Sequence, residues 1–167
     1  MYIKVLAVIL IILGGAFCGI NSSEKLRNRT LLCRDIRKML RICETAIRCS
    51  EADVYRIMLR LRDEDLHTIP FLENLSAVYD SNADFHTEWK RAVMGAGGLA
   101  DDERQLLADF GDTLGTSDTE GQLKAISAYQ EAVRELYEKR CSEYMKKGKL
   151  YRSLGLLAGL TLGIIVI

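Results

Sequence analysis

Two uncharged apolar runs bracket this chain, sixteen residues over Val5–Ile20 and fifteen over Ser153–Ile167. Every Asp and Glu lies between them, as does every Lys and Arg except Lys4. A helix crossing a bilayer needs roughly 17–25 apolar residues. Each run reaches that length only by adding its neighbours, Met1–Ile3 and Leu150–Tyr151, so Lys4 and Arg152 would have to snorkel to the headgroups. Short spans of this kind favour local thinning of the bilayer or tight packing with partners. The pattern predicts an N-terminal transmembrane helix over 1–20, a C-terminal one over 153–167, and a domain over 21–152 that starts and finishes on one face of the membrane.

The first run also has the outline of a signal peptide, with Met1–Lys4 as charged region and Val5–Leu13 as apolar region. Its best cleavage site, Ala16-Phe17-Cys18, is poor, and Phe17 stands where a lipoprotein cysteine needs a small residue before it. The expectation is a retained anchor.

Between the runs, apolar residues recur three and four apart, the period of a half-buried helix. Leu26, Cys33, Ile36, Leu40, Cys43 and Ile47 form one inward stripe beginning after Ser23. Ser50-Glu51-Ala52-Asp53 reads as a capping box ahead of Val54, Ile57, Met58 and Leu61. Thr68 before Ile69-Pro70 predicts a further start, with Phe71, Leu75 and Val78 inward. Ser81 is expected to open a helix carrying Phe85, Trp89 and Val93, which Gly95-Ala96-Gly97-Gly98 ends. Asp101-Asp102-Glu103 sit where acids favour a helix N-terminus, ahead of Leu106, Leu107, Phe110 and Leu114. Ser117 or Asp118 caps the longest helix, with Leu123, Ile126, Val133, Leu136, Tyr137 and Tyr144 inward. No proline follows Pro70, so this helix is expected to run on into the membrane, with a weak point at Gly148. No stretch alternates as a strand does. The fold class is all-α, a bundle of about six helices between two terminal spans.

Charge sets the expected orientation. Asn21–Arg41 holds seven bases against two acids, and Lys139–Arg152 six against one, while Lys4 alone stands on the far side. Positive flanks stay cytoplasmic, which puts the domain in the cytoplasm and both termini outside. Lys25, Arg27 and Arg29 on one side, and Lys146, Lys147, Lys149 and Arg152 on the other, are the bases nearest the spans. Each is placed to hold an anionic headgroup, at about 1 kcal/mol apiece. Five cysteines form no even secreted framework and fit a reducing compartment. The sequons at Asn21, Asn28 and Asn74 are accidental on this reading. Net charge is zero, yet Ile42–Glu138 carries nine bases and twenty acids, which argues against a nucleic-acid groove.

No catalytic, cofactor or metal constellation emerges. His67 and His86 sit in no metal-binding spacing, and the cysteines fall mainly on apolar stripes, where a thiol acts as a small hydrophobe. Gly95–Gly98 lacks the Lys and the strand of a phosphate loop. The motif with physical content is a face of small residues. Gly155, Gly159 and Gly163 recur every fourth residue in the second run, and Gly15 and Gly19 repeat the spacing in the first. Such faces let helix backbones approach closely in lipid. The spacing leaves open whether the partner is the other run or another copy.

Leu114-Gly115-Thr116-Ser117-Asp118-Thr119-Glu120-Gly121-Gln122-Leu123 and Leu150-Tyr151-Arg152-Ser153-Leu154-Gly155 resemble the stage III sporulation protein AB family. The resemblance covers the whole chain. It implies a soluble domain similar to the cytoplasmic domain of the type II secretion F protein. It also implies a non-catalytic platform role in the channel joining mother cell and forespore in endospore-forming bacteria, in the mother-cell membrane facing the forespore. The implied partners are other channel subunits, including a cytoplasmic ATPase subunit, with membrane lipids and further copies of the chain beside them. Gly115, Thr116, Ser117, Asp118 and Gln122 are a turn and helix cap on physical grounds, and a candidate interaction motif on the resemblance. Two other classes are weighed: a membrane-tethered helical adaptor unrelated to secretion, and a small enzyme with a buried site.

Overall fold

The first apolar run passes into the basic segment without a proline, and the chain stays helical across the junction. Helix α1 is a single 47-residue element, Tyr2–Arg48, in a computed structural model that describes residues 2–49, 54–72, 75 and 84–166. Asn21-Ser22-Ser23 does not open a new helix. Ser22 Oγ donates back to the Cys18 carbonyl at 2.9 Å, satisfied inside the helix it continues. Helices α2 (Val54–Asp63), α3 (Phe85–Gly95), α4 (Asp101–Thr113) and α5 (Thr119–Val166) follow. Five helices and no strand occur among the described residues.

The turn expected after Thr68 is present, with the Leu72 N–H on the Ile69 carbonyl (3.4 Å) and the Leu75 N–H on that of Phe71 (3.1 Å). Its continuation to Val78 lies outside the described residues, as does the capping box at Ser50–Asp53. One start is corrected. Helix α3 begins at Phe85 rather than from Ser81, because extended Asp84 caps it, its Oδ2 accepting the Thr87 N–H at 3.1 Å. Ser81 itself is outside the described residues.

The chain divides into two compact units, Leu32–Glu135 and the pair Met1–Leu31 with Leu136–Ile167. Within Leu32–Glu135, the core is built from the stripes predicted by spacing: Ile36, Leu40, Cys43 and Ile47 from α1, Ile57 and Leu61 from α2, Ile126 and Val133 from α5. Each fully buried aliphatic side chain contributes about 1.5–3 kcal/mol relative to exposure. Burial pushes the Cys43 thiol up to about 12, so it is neutral and packs as a hydrophobe.

Trp89 centres the aromatic part of that core. Its ring meets Phe71 at 5.0 Å and Phe110 at 6.0 Å, both edge-on, and Phe110 in turn meets Tyr129 at 5.4 Å. The indole Nε1–H donates to the Leu107 carbonyl at 2.7 Å, so burying this polar atom leaves nothing unsatisfied. A Cβ on Gly111 would overlap the indole, which makes glycine a packing requirement at that position.

Candidate functional site

In the unit formed by Met1–Leu31 and Leu136–Ile167, the small residues of α1 and α5 meet each other. A Cβ on Gly15 would stand 2.6 Å from the Gly155 carbonyl oxygen, and one on Gly19 would stand 2.5 Å from that of Tyr151. On the other side, a Cβ on Gly159 would stand 3.0 Å from the Ile12 Cα, and one on Gly163 would stand 3.1 Å from the Val8 side chain. Numbers rise on one helix as they fall on the other, so the pair is antiparallel. Contacts this short exclude any side chain at Gly15, Gly19 and Gly155. The partner of each glycine face is therefore the other terminal segment of the same chain.

Around this seam several described apolar side chains point outward. Leu10, Leu13 and Phe17 of α1, and Leu157, Leu162 and Ile164 of α5, are all more than half exposed. Gly148 does not break α5; a Cβ there would stand 3.1 Å from the Tyr144 ring and 3.2 Å from Ser23 Oγ, so only a residue without a side chain fits easily. The bases of the same unit are accessible. Lys25, Arg27, Lys146, Lys147, Lys149 and Arg152 are exposed and Arg29 is half-buried. Arg27 pairs with Glu24 at 3.3 Å, and Arg152 Nε donates to the Gly148 carbonyl at 3.3 Å.

The 114–123 run, in the Leu32–Glu135 unit, is a clamped turn. Gly115 has φ +75°, a conformation that L side chains rarely adopt, and a Cβ there would also press on Val54. Buried Gln122 bridges the turn, accepting the Gly115 N–H at 3.1 Å and donating to the Ser117 carbonyl at 2.8 Å. Asp118 Oδ1 accepts the Gly121 N–H at 3.1 Å, at the N-terminus of α5. Ser117 Oγ reaches only the Asp118 carbonyl, at 3.5 Å, so of the two candidate caps Asp118 holds the position. Thr116 Oγ1 donates to the Thr113 carbonyl at 3.0 Å. Thr116, Ser117 and Asp118 remain exposed.

The sequence model of stage III sporulation protein AB matches residues 4–167. The chain belongs to that family. Neither the curated proteins nor the solved structures give a match. Membership in the stage III sporulation protein AB family implies a role in sporulation.

Among the described residues of this family member, one helix is long and apolar enough to cross a membrane: α1, within Val8–Arg48, at a mean hydropathy of 1.3. No three His, Cys, Asp or Glu side chains gather as a metal-ligand group among the described residues.

Three side chains that matter to the fold escaped the sequence reading. Arg104 stands in the first turns of α4, where a base is unfavourable for the helix dipole. Its guanidinium serves the preceding helix instead, donating to the carbonyls of Val93 (2.8 Å), Met94 (2.6 Å) and Ala96 (3.0 Å) at the end of α3. Its unfavourable position was the available signal. Buried Asp35 accepts from Thr68 Oγ1 at 2.6 Å and from Arg34 Nε at 3.0 Å. Glu44 accepts from Gln130 Nε2 at 2.8 Å, and this bond, followed by those from Arg48, holds its carboxyl below the usual range. Neither pairing had a local signal. Glu103 supplies the capping bond of α4, its Oε2 accepting the Ala100 N–H at 2.8 Å; Ala100 has no side-chain acceptor to return one.

Proposed function

We propose that this protein is a non-catalytic membrane platform component of the channel between mother cell and forespore, needed for endospore formation. On this reading residues 1–20 and 153–167 are two transmembrane helices, and 21–152 form a cytoplasmic helical domain with both termini outside. Its partners are other channel subunits, including a cytoplasmic ATPase subunit that supplies the energy, together with membrane lipids and further copies of the chain.

The observation that carries the reading is the glycine seam. Gly15, Gly19, Gly155 and Gly159 bring two apolar helices to backbone contact, while leucines cover the outer surface. In water that outer surface would be a large exposed apolar patch; in lipid it is a matched surface, and small-residue packing is how helices associate there. The exposed lysines and arginines next to the seam suit anionic headgroups.

Labelling with a membrane-impermeant thiol reagent tests the orientation. Exposed Cys49 and half-buried Cys141 should react only after lysis, and rapid labelling in intact cells would reverse the topology. Affinity purification from sporulating cells tests the role. Recovery of the ATPase and neighbouring channel subunits is expected, and their absence from a membrane-extracted complex would favour a tethered adaptor unrelated to secretion.

A further inference from the structure

The Leu32–Glu135 unit is acidic, with thirteen bases against twenty acids, yet it gathers bases into two adjoining clefts. Lys38, Arg41 and Arg60 line one, and Arg37, Arg41 and Arg134 line the other. Arg41 is the wall they share. It is exposed, and its charge also acts on Glu44 of the same helix. Glu64 and Glu131 also line the clefts, and Lys38 holds Glu64 at 2.7 Å. A planar anionic membrane attracts a uniformly basic surface best. A cleft that mixes bases with carboxylates suits a shaped protein surface whose acids alternate with polar groups.

Such a surface exists on the same unit. Asp102, Gln105, Asp109 and Asp112 are exposed and follow three-and-four spacing along one face of α4. Lys90 stands 3.6 Å from Asp112, while Arg104 is turned onto the end of α3. The basic wall belongs to α1, α2 and α5, and the acidic row to α4, so the two patches are on different elements.

We infer that the chain associates with itself head to tail, the acidic face of α4 in one copy entering the basic clefts around Arg41 in the next. This deepens the reading of the protein as an assembly component and rests on it. Two different patches meeting make a heterologous contact, which propagates into a ring or an open row instead of stopping at a pair. Charge complementarity of this kind steers encounter and fixes register.

The test uses the full chain in detergent micelles, with particle mass followed by sedimentation. Wild type should associate at low salt and dissociate near 1 M salt, where the screening length falls to about 3 Å. Arg41→Glu and Asp109→Arg, each at an exposed position, should separately weaken association by at least about tenfold. Mixed together they should recover association, since each variant keeps the patch that the other lacks and the reversed charges at 41 and 109 complement each other. Unchanged association of both single variants overturns the inference. So does a wild-type chain that stays monomeric, whether its clefts then bind an acidic foreign protein or only anionic vesicles. These readouts fail independently of sporulation or of recovery of the ATPase, so loss of the inference leaves the platform reading to its own test.

Discussion

Gly15 and Gly155 face each other reciprocally: a Cβ on the first would lie 2.6 Å from the carbonyl oxygen of the second, and a Cβ on the second 2.5 Å from that of the first. Neither position can take a side chain unless the two helix backbones separate. Gly155→Leu should therefore destabilise the pairing of α1 with α5, with an overpacking cost of about 1–3 kcal/mol. The contact lies within one chain, so the fall in melting temperature of the detergent-solubilised protein should not depend on concentration. A fall that vanishes at high protein concentration would point to a seam between copies.

Gly111→Ala should lower the urea midpoint of unfolding, again by about 1–3 kcal/mol in stability, because the methyl group collides with the Trp89 indole. Trp89 is the single tryptophan, so its fluorescence reports the change directly. An unshifted midpoint would mean that the indole has room to move aside.

At the start of α5, Asp118→Ala should cost about 1 kcal/mol, the usual value of a lost N-terminal cap. Ser117→Ala should be close to neutral, since its hydroxyl makes only a long 3.5 Å contact. Thermal melts of the two variants decide between the residues. If Asp118→Ala melts like wild type yet blocks sporulation, the exposed Thr116–Asp118 edge serves as a contact surface.

Glu44 gives the pH dependence. Its folded value is depressed, first by the hydrogen bond from Gln130 and then by that from Arg48. The stabilisation it adds is complete above the ordinary value of 4.5 and is lost as pH falls through the lower folded value. Glu44→Gln should thus be less stable than wild type at neutral pH, and the difference should close on acidification below that ordinary value. Denaturant titrations at neutral and acidic pH measure this, and a difference that widens toward low pH would contradict the assignment.

Much of the fold was legible because helical periodicity is a local property. The stripe Ile36, Leu40, Cys43 and Ile47 can be read from spacing alone, and burial follows it residue by residue. The start of α3 was misplaced for an equally local reason: serine and aspartate are both good caps, and sequence does not rank Ser81 against Asp84. Arg104 was missed because its partners belong to a different helix from the one it sits in.

The sequence by itself determined the all-helical class, the two apolar ends with their basic flanks, the small-residue spacing and membership in the sporulation family. These are written in neighbouring residues, and periodicity or a motif is enough to read them. Only the tertiary structure decided that Gly15 and Gly19 meet Gly155 and Gly159 of the same chain, that Thr68 satisfies Asp35, that Gln130 reaches Glu44, and that Gly111 must make way for Trp89. Those pairs are joined by how helices pack, and a pattern with a period of three to four residues does not say which faces will meet.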